Sequence, residues 1–156
     1  MAEYTNNRKK LDVPELVIRI ISILAFMIYL YCVLYITLID RSTGMRRHVL
    51  RPLWEVRTML RSGDYIYWSG QIGGNLLMLF PLGFLLPIIS NRFKSVALTT
   101  LAGFTFSFLI ESIQYYTGRG MLESDDLIHN TIGALAGCIL CLAIDKLLKS
   151  NTAGYE

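Results

Sequence analysis

Four apolar stretches, each long enough to cross a lipid bilayer, constrain the fold of this chain more than any other feature. About twenty apolar residues in a helix suffice to cross the hydrocarbon core. Of the 156 residues, 53% are hydrophobic and only 17% are charged. The charges fall mostly between the stretches, which is typical of an all-α, polytopic membrane protein with a single domain. The predicted transmembrane helices cover residues 16–39, 72–90, 95–116 and 125–148, so the membrane domain is 16–148 and the tails are 1–15 and 149–156.

The second predicted span contains Pro81 and Pro87. Proline removes a backbone hydrogen bond inside a helix, so this span is predicted to be kinked. Between spans one and two, apolar residues recur at helical spacing, which predicts an amphipathic segment lying in the membrane interface. These residues are Leu53, Val56, Met59 and Leu60, with Trp54 beside them. Tyr65, Tyr67 and Trp68 are predicted to anchor the interface just before the second span.

The distribution of basic residues predicts the orientation. Cytoplasmic loops usually carry the excess of lysine and arginine. The number of lysines and arginines is nearly equal on the two sides of the membrane. A basic cluster at residues 8–10 precedes the first span, however, and all lysines fall on the same side as this cluster. We therefore predict a multi-pass protein of the cell membrane with both termini in the cytoplasm. The arginine-rich segment 40–71 would then face outward, where an anionic lipid or cell-envelope partner would explain it.

Ionisable and amide side chains are rare and usually functional inside a membrane. Here they cluster near one end of the last two spans. Glu111 lies about 9 Å below the predicted membrane surface, because six residues at 1.5 Å per residue separate it from the following connection. The predicted polar site contains Glu111, Gln114, Arg119, Asp125, Asp126, Asn130 and Asn75. Gly133 and Gly137 continue the stripe of Asp126 and Asn130, and they are predicted to seat the third span closely.

Structural roles are alternatives for several of these residues. Asp125 or Asp126 would also be expected as a cap at a helix start. Glu111 could instead pair with Arg119 and hold the connection between spans three and four. His129 has no second histidine near it, so we predict no metal site and no cofactor. The net charge of +3 is modest and predicts no nucleic-acid partner.

Several spaced motifs in this order resemble the VanZ-like family, small bacterial membrane proteins named for a teicoplanin-resistance accessory protein. The resemblance covers residues 51–142, and the motifs are Arg51-Pro-Leu-Trp, Asn75 to Pro87, Glu111-x-x-Gln114, Gly118-Arg-Gly and Asp125-Asp-Leu-Ile-x-Asn130-x-x-Gly133-x-x-x-Gly137. Glu123 and Ser124 depart from the pattern, which has Asp and an apolar residue there. The resemblance implies a membrane location and a part in glycopeptide or lipoglycopeptide susceptibility, but no particular reaction.

Three functions stay open. The first is a cofactor-independent protein that binds membrane lipids, specifically an anionic lipid or lipid-linked envelope intermediate, at the outer membrane face, with Arg119 and the loop arginines on the phosphate. The second is an intramembrane hydrolase or transferase acting on a lipid phosphate, with Glu111 or Asp126 as general base and with room for a divalent cation held by carboxylates. The third is a structural subunit of a membrane complex, in which the polar network only holds helices together. The oligomeric state cannot be predicted from these residues.

Overall fold

The apolar stretches form the long helices of the protein. The computed structural model describes residues 13–44 and 47–153. In chain order the elements are α1 (Val13–Leu34), a π-helical turn (Tyr35–Ile39), β1 (Arg47–Val49), α2 (Trp54–Ser62), α3 (Tyr65–Ile89), a 3-10 turn (Asn91–Lys94), α4 (Val96–Thr117), β2 (Met121–Glu123) and α5 (Ser124–Ala153). The segments long and apolar enough to cross a membrane are Val13–Ile39, Tyr65–Ile89, Val96–Thr117 and Ser124–Ser150. The predicted all-α, multi-pass class is confirmed. The basic cluster at residues 8–10 and most of the predicted N-terminal tail lie outside the described residues.

Helix α3 begins at Tyr65, well before the predicted start of the second span at residue 72. The Asp64 carboxylate caps it by accepting a hydrogen bond from the Tyr67 backbone N–H at 3.2 Å. The aromatic residues predicted to precede this span therefore lie in its first turns. Trp68 packs edge-on against Trp54 with ring centroids 5.3 Å apart, which joins α3 to α2. Pro81 and Pro87 both lie inside this helix.

A short parallel sheet, which the sequence analysis did not predict, ties the first long connection to the last one. β1 pairs with β2 over three residues each, with His48 opposite Leu122. Next to the strands, the Gly44 N–H donates to the Gly118 carbonyl at 2.7 Å. Gly118 has a φ of +68°, a left-handed conformation that favours glycine and ends α4. The sheet brings the arginine-rich segment onto the α4–α5 connection.

The glycine stripe of α5 packs against α3, the second span. A Cβ on Gly133 would overlap the Leu76 carbonyl, and one on Gly137 would overlap the Phe80 carbonyl. The prediction that these glycines seat the third span is therefore wrong, although the close helix approach itself is observed. A short connection makes α4 and α5 neighbours, but it does not decide which face of α5 each neighbour covers.

Helices α3 and α5 also form the centre of the apolar core. Leu79, Leu82 and Ala134 are buried there. Helix α1 leans on α3 through Tyr29, whose hydroxyl donates to the Met78 carbonyl at 2.6 Å. Both strands, α2 and the adjoining ends of the long helices lie at one end of the bundle, which we call the sheet end.

Candidate functional site

Asp125 joins two helices at the sheet end. It is fully buried. Its Oδ1 accepts a hydrogen bond from the Leu53 backbone N–H at 2.6 Å, and its Oδ2 accepts one from the Glu55 backbone N–H at 2.9 Å. Asp125 stands at the start of α5, yet its carboxylate satisfies free N–H groups at the start of α2. The sequence analysis considered Asp125 as a cap of its own helix, whereas these hydrogen bonds cap α2, a helix far away in sequence.

Capping by Asp125 places Glu55, a residue not among the predicted site residues, inside the protein. Glu55 is only 5% exposed although it belongs to a short amphipathic helix. Leu53 and Leu60, from the predicted apolar stripe of this segment, are exposed instead. This arrangement suits a helix whose apolar face meets lipid while a carboxylate points into the bundle.

Glu55 faces two other carboxylates. Glu55, Glu123 and Asp126 each place one oxygen so that all three oxygens lie within 4.8 Å of one another. They come from α2, β2 and α5, so the cluster depends on the folded chain. Glu111 contacts the backbone of one of these residues, because its Oε2 accepts a hydrogen bond from the Glu123 N–H at 3.1 Å. We call Glu55, Glu123 and Asp126 the carboxylate cluster.

Burial and mutual repulsion raise the pKa of Glu55 and Glu123, the two cluster members that lie outside the membrane spans. Burial raises the pKa of Glu55 to about 7, and the charges of Asp126, Glu123 and Asp125 add to the rise. Burial also raises the pKa of Glu123 to about 7, with a further rise from Asp126, while the Trp54 indole and the Arg41 guanidinium oppose it. Both carboxyls therefore exchange protons near neutral pH.

His129 stands behind Glu55. Its Nδ1 is 3.3 Å from Glu55 Oε2, which is ion-pair distance. Neither of these two atoms makes a hydrogen bond to any residue that the structure describes, and neither is accessible to solvent. Within the described ranges, His129 receives no hydrogen bond from a serine, threonine or cysteine hydroxyl or thiol, so the histidine is not paired with a nucleophile.

The predicted amide residues hold helices together around the cluster. Asn75 of α3 donates to Asp126 Oδ1 at 2.5 Å. Asn130 of α5 donates to the Ser107 hydroxyl of α4 at 3.0 Å. Thus Asp126 and Asn130, although on one stripe, bond to different neighbouring helices. The structure brings Glu111, Asp126 and Asn75 together with the cluster, and places Asn130 deeper between α4 and α5.

Two other predicted site residues bind the end of the first span. Gln114 donates to the Thr37 carbonyl at 2.9 Å. The Arg119 guanidinium donates to the Leu38 carbonyl. In the part of the chain that the structure describes, Arg119 makes no ion pair with Glu111. The alternative in which such a pair holds the connection is therefore not observed.

A cavity of about 720 Å³ opens on the other side of α2. Arg51, Arg57 and Arg61 line it and are exposed. Among the described residues, no carboxylate pairs with any of these three arginines. The remaining lining residues are His48, Val49, Leu50, Trp54 and Thr58. Trp54 forms part of the wall and also lies beside Glu123, so it separates this arginine cavity from the carboxylate cluster.

Sequence reasoning missed Glu55, Glu123 and Arg41 as parts of this region. Glu55 was not singled out, and an acid in the first turn of an amphipathic helix is common without a special role. Glu123 was noticed only as a departure from a motif. That departure was the available signal, because it keeps a carboxylate at the residue before the polar start of α5.

Comparison with known proteins gave one positive result. The family model described as VanZ/LLP1 matches residues 26–146 of the chain. This range includes all the predicted site residues and every element from the second half of α1 to most of α5. No curated protein and no solved structure gave a significant match.

Proposed function

Because this chain belongs to the VanZ/LLP1 family of membrane proteins, we propose that it binds the phosphate of an anionic lipid or lipid-linked cell-envelope intermediate at the sheet end. The arginine cavity is the observation that carries this proposal. Three arginines line one space beside a helix that exposes leucines, and no carboxylate of the described residues pairs with them. A phosphate and an acyl chain could therefore be accommodated side by side. Guanidinium groups suit phosphate because they donate two parallel hydrogen bonds.

Of the arginines expected to hold phosphate, we keep those of the connection between spans one and two and leave out Arg119. Arg119 was expected to hold phosphate, but it donates to the Leu38 carbonyl instead. Arg51, Arg57 and Arg61 take this role in the proposal. The carboxylate cluster lies behind Trp54, outside the arginine cavity. Its negative charge would repel a phosphate, so the cluster takes no part in phosphate binding.

The proposal places the sheet end at the outer face of the cell membrane. Capture of a lipid-linked envelope intermediate there would change how much of it is available to glycopeptides or lipoglycopeptides. An effect on susceptibility to these antibiotics would follow from lipid binding and would need no reaction.

Native mass spectrometry of the purified protein tests the lipid preference. The wild type, titrated with phosphatidylglycerol and with phosphatidylcholine, is expected to retain more of the anionic lipid. The triple variant Arg51→Gln/Arg57→Gln/Arg61→Gln should lose this preference, while Arg92→Gln should keep it, because Arg92 lies on the 3-10 turn at the opposite end. An unchanged preference in the triple variant would rule out the arginine cavity as the lipid site.

The carboxylate cluster favours a second candidate function, hydrolysis or transfer at a lipid phosphate. Glu55 and Glu123, with pKa values near 7, could act as acid or base at neutral pH. The test is release of phosphate or of a headgroup from lipid phosphates by the purified protein, with and without a chelator. Absence of turnover in both conditions would leave lipid binding as the function.

A further inference from the structure

The carboxylate cluster has the spacing of ligands around one metal ion. Its three oxygens, within 4.8 Å of one another, could all reach a common centre at the 2.0–2.6 Å typical of metal–oxygen bonds. Three carboxylates facing one another repel strongly unless cations or protons lie between them. Arg41 is the cation that faces Glu123 and Asp126, but in the described ranges it reaches ion-pair distance of neither.

His129 supplies a second and separate observation. His129 and Glu55 are both buried, with only 5% of the surface of each exposed. His129 Nδ1 and Glu55 Oε2 face each other at 3.3 Å, and within residues 13–44 and 47–153 neither forms a hydrogen bond. Buried polar atoms are nearly always paired. Two lone-pair donors at this separation fit adjacent positions around a metal ion with bonds of about 2.1 Å.

A simple Glu55–His129 ion pair explains less. It would satisfy one oxygen of Glu55 and one nitrogen of His129, but among the described residues it would leave Glu123 and Asp126 with no cation at ion-pair distance. A single divalent ion would neutralise the three carboxylates. His129 contacts Glu55 but does not lie within 4.8 Å of all three carboxylate oxygens, so its imidazole would have to move onto the ion when it binds.

We infer that Glu55, Glu123, Asp126 and His129 form a binding site for a divalent first-row transition metal ion. The donor set favours this class, because carboxylates suit Mn²⁺ and imidazole suits Zn²⁺ and Fe²⁺, whereas Ca²⁺ and Mg²⁺ prefer oxygen ligands alone. The sequence analysis predicted no metal site and considered a carboxylate-held cation only in the alternative enzymatic function. Two of these ligands, Glu55 and Glu123, were not among its site residues, because the three elements that supply the ligands meet only in the fold.

The ion would fasten α2 to the rest of the protein. Glu55 belongs to α2, Glu123 to β2, and Asp126 and His129 to α5. Binding would therefore fix the helix that carries Trp54 and Arg57 of the arginine cavity. The metal site does not depend on the proposed lipid binding, and its test measures the metal alone.

Mn²⁺ titration followed by electron paramagnetic resonance tests the inference. The full-length protein, purified with a tag that contains no histidine and stripped by chelator, is expected to bind one Mn²⁺ per chain. The variant Glu55→Gln/Asp126→Asn keeps the side-chain shapes and should bind roughly 10–100-fold more weakly. Asp145→Asn is the matched control and should bind normally, because Asp145 lies near the other end of α5 between Lys94 and Lys149. Absence of saturable binding by the wild type, or unchanged binding by the double variant, would overturn the inference.

A second measurement keeps the test decisive if the double variant does not fold. The chain has two histidines. The pulsed spectrum of the wild type with Mn²⁺ should show coupling to an imidazole nitrogen. This coupling should persist in His48→Gln, whose side chain is exposed in the arginine cavity. A wild-type spectrum without nitrogen coupling, or one that loses it in His48→Gln, would overturn the assignment of His129.

Discussion

Asp125 and Glu55 are 70 residues apart, yet the Asp125 carboxylate accepts the backbone hydrogen bond of Glu55 at 2.9 Å. This bond places the start of α2 against the start of α5 and turns Glu55 inward. The position of the carboxylate cluster therefore depends on a capping interaction between distant parts of the chain.

Replacing Asp125 tests that dependence. Asp125→Ala leaves the buried Glu55 N–H and the partly buried Leu53 N–H without their acceptor, so we expect the free energy of unfolding to fall by about 1–3 kcal/mol. Asp125→Asn retains one acceptor oxygen and should cost less. Thermal unfolding in detergent measures both effects. Compared with the wild type, hydrogen exchange in Asp125→Ala should become faster in α2 but not in α3. Equal exchange in α2 of the wild type and Asp125→Ala would show that the cap does not hold this helix.

The glycine stripe makes a separate prediction about packing. Gly133→Ala adds a Cβ that would overlap the Leu76 carbonyl of α3. The helices must separate, which we expect to cost about 1–3 kcal/mol of unfolding free energy. Gly73→Ala is the matched control, because no atom lies within 4 Å of its added Cβ, and a helical glycine replaced by alanine in open space is neutral or stabilising. Equal melting temperatures for the two variants would contradict the α3–α5 contact.

These two interactions show what the sequence could and could not predict. Hydropathy was sufficient for the long helices, because crossing a bilayer needs only length and apolar composition. The stripe from Asp126 to Gly137 predicted a close helix contact, but spacing along one helix does not identify the partner. Glu55 could not be predicted as buried, because an acid in the first turn of an amphipathic helix is normally solvated. Its burial comes from Asp125 and from the β1–β2 pairing, which are both long-range.

The raised pKa values predict how stability depends on pH in the metal-free protein. The pKa of Glu55 rises from 4.5 to about 7 on folding, so the folded protein holds this proton where the unfolded chain has lost it. The stabilising effect of the proton is complete below about pH 4.5 and is lost as the pH rises through about 7. Glu55→Gln stays neutral throughout and should show a smaller fall in melting temperature between pH 5 and 8, with part of the fall remaining because Glu123 behaves alike. Melting curves in chelator would measure this, and identical slopes in both proteins would contradict the shift.

The orientation prediction concerns which side of the membrane the sheet end faces. Arg61 and Asn91 are both exposed and lie at opposite ends of the bundle. In a background with Cys32, Cys138 and Cys141 replaced by serine or alanine, Arg61→Cys should react with a membrane-impermeant maleimide added to intact cells. Asn91→Cys should react only after the cells are opened.

The two positions serve as each other's control, because both cysteines should react equally once the membrane is permeabilised. The reverse labelling pattern would place the arginine cavity in the cytoplasm. Lipid-linked intermediates at the outer face could not then reach it, although anionic lipids of the inner leaflet still could. The arginine-rich connection would also agree with the usual excess of basic residues in cytoplasmic loops. Labelling of Arg61→Cys from outside would instead place these arginines in an outer connection. The excess of basic residues in cytoplasmic loops would then not explain them, whereas binding of a phosphate would.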